Sequence, residues 1–220
     1  MILEDFVMLG KTAPETDRQG RVTVCSAGWS PELRQLVRIY PLAVENAPPD
    51  FSVSRIKLER NYRDSRHESW QIGGERGVNV HSGINARFEV QRILNDRASL
   101  IDQIPVVESI SEANAKRLSL AVVQPEVKPN FYLQKNEARK FVKKRVGSNT
   151  FKYIPRLKFD LAGKVHKLKY LNREVYENIT PTSKTDFWKI SGRFKRNPKL
   201  LIGNMFAYRN NWLVIAGLDV

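Results

Sequence analysis

Apolar or alternating stretches of eight to ten residues, each cut off by Gly, Pro, Asn or Asp, run along most of the chain. Such punctuation favours strands, which need only that length and a two-residue period. "DFVMLGKT" (5–12) and "RVTVCSAGW" (21–29) read as strands joined by "APETDRQG", and "LRQLVRIYPL" (33–42) continues the meander. "APPD" (47–50) is a loop, and "FSVSRIKLER" (51–60) is a further strand. Its apolar phase slips from Phe51 and Val53 to Ile56 and Leu58, which predicts a bulge near Ser54 and Arg55. "QIGGERGVNVHSG" (71–83) holds four glycines and reads as an exposed loop.

The clearest helix is "VESISEANAKRL" (107–118), where Ser109 and Glu112 have capping-box spacing. "SLAVVQPEV" (119–127) reads as a strand ending at Pro125. "KYIPRLKFDL" (152–161) and "KVHKLKYL" (164–171) flank Ala162-Gly163, a hairpin signal. Leu157, Phe159 and Leu161 alternate with Arg156, Lys158 and Asp160, so this hairpin has one apolar and one cationic face. "SKTDFWKI" (183–190) reads as a short capped helix, and residues 199–220 as a closing hairpin turning at Asn210-Asn211. The series of strands, short helix and strand, twice over, predicts a mainly β fold with short helices. It fits two tandem OB-like five-stranded barrels, residues 1–125 and 126–220, with a single large β-sandwich as the rival.

Charge divides the two halves more sharply than pattern does. Residues 1–110 hold 14 Lys and Arg against 15 Asp and Glu, while residues 111–220 hold 23 against 8. A field this one-sided favours polyanionic partners. The single cysteine, Cys25, excludes an intrachain disulfide and a cysteine-based zinc site. Glu4 and Asp5 stand where a signal peptide would be basic, and no apolar run is long enough to span a bilayer. These features lead to the expectation of a cytoplasmic protein that does not act at a membrane.

The basic residues fall among aromatics, the combination that single-stranded nucleic acid requires: cations for phosphates and rings for bases. Arg139, Lys140, Lys143, Lys144, Arg145, Lys152, Arg156, Lys158, Lys164, Lys167 and Lys169 lie among Phe141, Phe151, Tyr153, Phe159 and Tyr170. Of these aromatics Tyr153 is the candidate contact, whereas Phe159 and Tyr170 share the apolar face. Arg193, Lys195 and Arg196 form a further basic loop. "RNYRDSRHESW" (60–70) adds Arg60, Arg63 and Arg66 as a possible extension of that surface. Asp64, His67 and Glu68 in the same strip are the candidates for metal-dependent nuclease chemistry, although the strip reads more simply as an ion-paired, Trp-anchored connection after a strand. His67, His81 and His166 are too scattered for a metal site, and Gly73 to Gly77 lack the lysine ending of a P-loop. No cofactor is expected.

Val22–Trp29, Arg38-Ile39-Tyr40-Pro41, Asn61–Trp70 and the ending "LLIGNMFAYRNNWLVIAG" resemble segments of the bacterial dual OB-fold domain family. The resemblance implies two barrels in tandem and brings no activity or catalytic residues with it. Function therefore rests on the charge map. The favoured expectation is a non-catalytic protein binding DNA or RNA, preferably single-stranded, through its second half. One alternative is an adaptor whose basic face docks an acidic protein in a nucleic-acid-processing or defence assembly, with 71–83 as a docking loop. The other is the nuclease.

Overall fold

The computed structural model describes residues 1–16, 20–62, 64–73, 88–137, 147, 151–178 and 198–218. The fold is mainly β with few short helices. In the first half, β1 (Ile2–Lys11), β3 (Val22–Ser30), β4 (Gln35–Ala43), β5 (Ser52–Arg60) and β6 (Ser69–Ile72) close into a five-stranded barrel. The order is β1-β3-β4-β6-β5 and back to β1, with every pair antiparallel except β4–β6. This closure is that of an OB-like barrel. The two-residue β2 (Glu15–Thr16) pairs with β3, and β7 (Glu89–Ile93) pairs with β5. The register between β5 and β7 shifts between Val53 and Ser54, next to the predicted bulge, but the residue left without a partner is Gln91 on β7 rather than one of β5.

The barrel closes tightly because β1 and β3 approach at a glycine. A Cβ on Gly28 would lie 2.2 Å from the Phe6 ring and 2.3 Å from the Val7 carbonyl oxygen. Leu3, Phe6, Met8, Ile39, Leu42 and Leu58 fill the interior.

Beyond the barrel come α1 (Ala98–Gln103), β8 (Val106–Val107), α2 (Ile110–Ala115) and β9 (Leu120–Val123). Ser109 caps α2 by accepting from Glu112 N at 3.0 Å, and Glu112 reaches back to Glu108 N at 2.7 Å. β10 (Asn130–Lys135), β11 (Tyr153–Leu161) and β12 (Lys164–Lys169) form a three-stranded antiparallel sheet. After α3 (Arg173–Asn178), β13 (Leu200–Asn204) and β14 (Trp212–Gly217) join β9 and β8 in a four-stranded sheet ordered β14-β13-β9-β8. A parallel bridge from Tyr170 to Val214 connects the two sheets. The β11–β12 turn has φ of 52° at Ala162 and 68° at Gly163, both in the left-handed region that a tight hairpin needs.

Three cores result. One lies inside the barrel, one is shared by the two later sheets around Phe131, Leu157, Phe159, Leu200 and Val214, and the third is a seam between the halves. Val7, Leu9, Trp29 and Val53 meet Leu120, Leu201, Ile215 and Ala216 there. A Cβ on Gly10 would lie 2.7 Å from the Ala216 Cβ, so a glycine lets β1 and β14 approach.

Several sequence expectations change. Residues 119–125 are expected in the first barrel, but β9 hydrogen-bonds to β13, so the sheets change over between β7 and β8. The helix α1 was missed: it has six residues, no side-chain cap and two buried residues, Leu100 and Ile101, so its periodic signal is minimal. The expected helix at 183–190 lies outside the described residues, as does 74–83 of the loop expected at 71–83, whose first two residues, Gln71 and Ile72, belong to β6.

Candidate functional site

The outer face of the β10–β11–β12 sheet carries the densest described group of cations. Because strands alternate, Leu157, Phe159 and Leu161 are buried while Arg156 and Lys158 take the other side. Register then places Lys158 directly opposite Lys167, and Arg156 opposite Lys169. On the other flank Asn130 faces Lys158 and Tyr132 faces Arg156. Lys158 and Lys167 are exposed, and Arg156, Lys169 and Tyr132 are half-buried. Arg156 Nη1 donates to the Lys167 carbonyl at 3.0 Å. Among the described residues no carboxylate forms an ion pair with Lys158, Lys167 or Lys169. Asp160 lies on the same face, opposite Val165 at the turn end.

His166 points to the other side and tilts against Phe159, with ring centroids 5.6 Å apart. Burial, with Lys164 nearby, lowers its pKa below the ordinary histidine value, so it adds no charge at neutral pH. Lys164 is exposed at the turn. Lys152 is exposed with its ammonium 5.5 Å from the Tyr153 ring, and that ring is half-buried. Arg139, Lys140, Lys143, Lys144 and Arg145, which follow β10 in the chain, lie outside the described residues, as do Arg193, Lys195, Arg196 and Arg63.

The 60–70 strip does something the sequence does not reveal. Arg60 stacks 3.9 Å over the Trp70 ring and donates to the His67 carbonyl at 2.7 Å. Arg66 does not extend the basic surface: its side chain is 8% exposed and turns into the seam. There its Nε and Nη2 grip the Asp64 carboxylate, while Nη1 donates to Asn204 O at 2.8 Å and Asn204 Oδ1 at 3.0 Å. Glu68, buried beside it, accepts from Ser119 N at 2.9 Å and Ser119 Oγ at 3.0 Å. Arg38 completes this latch by donating to the Ser119 carbonyl at 2.6 Å. Asp64 is thus engaged by Arg66 and Ser69 within the strip and Glu68 by Ser119 across the halves, and among the described residues no group of His, Cys, Asp and Glu could hold a metal ion.

Burial pushes the Asp64 carboxyl up, but the hydrogen bonds from Arg66 and Ser69 outweigh it and hold the group below the usual aspartate range. A carboxyl depressed in the folded state stabilises above its unfolded pKa and loses that contribution as pH falls through its folded value. The stability gap between the natural chain and Asp64→Asn should therefore narrow as pH drops below about 4. Denaturant titrations at several pH values test this, and a constant gap would refute it.

No helix among the described residues is long and apolar enough to cross a membrane. Comparison with the curated proteins finds no match. Residues 3–103 are similar to a domain of unknown function (DUF8758), a span that takes in all but the first residue of the five-stranded barrel and ends with α1.

Proposed function

We propose that the chain is a non-catalytic nucleic-acid-binding protein built from two OB-like barrels in tandem, with the β10–β11–β12 face tracking the phosphate backbone. Strand order supports the second barrel. β9 pairs with β13, and after an interruption at 124–129 the chain resumes as β10 and pairs with β11. Taken as one broken first strand, β9 and β10 give the order of the first barrel again, with the Tyr170–Val214 bridge standing where that barrel has its parallel pair. The third and fourth strands of such a unit are separated by α3, a usual OB position for a helix. This arrangement accords with the resemblance to the dual OB-fold family.

The observation that carries the binding proposal is the pairing of like charges: Lys158 across from Lys167, and Arg156 across from Lys169. Directly opposed like charges weaken a sheet. A polyanion laid across them converts that repulsion into attraction. The surplus of Lys and Arg in residues 111–220, 23 against 8 Asp and Glu, adds a steering field of the same sign.

Fluorescence anisotropy with labelled single-stranded DNA, single-stranded RNA and duplex DNA over a salt series tests the proposal. Four cations on a single strand predict a log–log salt slope of about −3, steeper if further lysines engage. No binding tighter than about 100 μM at low salt would sink it. A co-purifying protein that survives nuclease treatment, together with that result, would turn the basic face into a docking surface for an acidic protein.

A further inference from the structure

Among the described residues the exposed aromatics are Tyr40, Tyr62, Phe206 and Tyr208, at 40%, 92%, 49% and 65% exposure. The other described aromatics are buried or half-buried. These four come from three separate stretches of the sequence, yet those segments are tied to one another. Asn61 Nδ2 donates to the Tyr40 carbonyl at 3.0 Å, joining β4 to the turn that carries Tyr62. That turn is closed by Asp64 N donating to Asn61 O at 3.0 Å. Arg66 then bonds Asn204 at the root of the 205–211 loop, and its guanidinium lies 5.6 Å from the Phe206 ring. Inside the loop Tyr208 N donates to Met205 O at 3.2 Å and Asn211 N to Tyr208 O at 2.9 Å, so it is ordered by its own turns.

We propose that this rim is a stacking platform for the unpaired bases of a single-stranded nucleic acid, a second contact area distinct from the lysine face. The inference rests on the nucleic-acid reading above and deepens it by naming the strand type. The rings of Tyr62, Phe206 and Tyr208, exposed on turns already held by hydrogen bonds, present π-faces at little ordering cost, and every base offers a π-face in return. The charges nearby suit the same occupant. Arg60 and the exposed Arg209 flank the rings, residues 205–211 contain no acid, and the Asp64 carboxylate is neutralised by Arg66. The lysine face and the rim then divide the labour: one holds phosphates without regard to base, and the other requires bases that are not paired.

The test uses the full chain and three labelled probes of about 12 nucleotides: oligothymidylate, an abasic strand of equal length, and a duplex. The variants are Phe206→Ala with Tyr208→Ala, and Tyr62→Ala. The double variant should lose about tenfold or more in affinity for oligothymidylate. Its affinity for the abasic strand and its salt slope should stay as in the natural chain, and Phe206→Tyr should restore most of the loss. Unchanged thermal unfolding would exclude a folding defect. Equal losses on oligothymidylate and the abasic strand, or no loss on either, would overturn the platform. So would a natural dimer that the double variant dissolves without any change in nucleic-acid affinity. If the natural chain binds none of these probes and no single-stranded RNA, both readings fall. If it binds and only reversal of the lysine face weakens it, the platform alone falls.

Discussion

Arg66→Ala is expected to remove about 3–5 kcal/mol of folding stability in a urea titration, because it leaves a buried carboxylate without its cation. The side chains of Arg66 and Asp64 are 8% and 10% exposed, so solvent screens the pair little. Once the guanidinium is gone, Asp64 keeps Ser69 Oγ at 2.7 Å, and Asn204 loses the donor that bound both its carbonyl and its side chain. Since Asn204 belongs to the second half, part of the loss falls on the seam itself. The variant should therefore expose new protease-sensitive sites between β7 and β8 before it unfolds globally. Arg55 is the control. It pairs with Glu4 and Glu89 at the surface, with side-chain exposures of 44%, 63% and 70%, and Arg55→Ala should leave the midpoint nearly unmoved. A cost for Arg66→Ala below about 1 kcal/mol would mean that water reaches Asp64 and the latch is open in solution.

That latch shows where reading a sequence stops. The alternation of Leu157, Phe159 and Leu161 with Arg156 and Lys158 is a local, two-residue signal, and Ala162-Gly163 marks its turn, so the hairpin and its two faces were legible. The irregularity near Ser54 was legible only in part: the phase slip marks its place on β5, but the extra residues sit on the partner strands, Gln91 on β7 and the Glu4-Asp5 pair opposite Arg55 on β1. Arg66 differs. Its partner Asn204 is 138 residues away, and nothing in "RDSRHES" distinguishes an arginine facing a phosphate from one buried against a distant amide. The Trp-anchored connection after a strand was the sounder reading of that segment, as Arg60 on Trp70 illustrates. The aromatic rim was illegible too. Tyr62 and Phe206 carry no signal of their own, and only the fold brings their segments together while leaving most of the other described rings buried or half-buried. The strand at 120–123 was visible as a strand, but its apolar run could not say which half it would join, because a strand apolar on both faces fits against either.

Reversing Lys158 and Lys167 together to glutamate should weaken binding of a single strand by about 25-fold at 0.1 M salt, and flatten the salt slope by about 1.4. The figure follows from losing two phosphate contacts, each worth about fivefold at that salt, before any repulsion is added. The double change is the informative one. A single Lys158→Glu would place opposite charges across the strand pair and could strengthen the sheet while weakening binding, so stability and affinity would move in opposite directions. The double variant keeps like charges opposed and so holds that term near its natural value, leaving the sign of the face as the variable. Both side chains are exposed, so the core around Leu157 and Phe159 is untouched. Reversing Lys143, Lys144 and Arg145 in parallel separates the face from the segment that follows β10: a loss in the triple variant alone would move the phosphate track there. If neither variant changes affinity by more than about threefold while the natural chain still binds, the opposed lysines are a solvated surface and another set of cations holds the backbone.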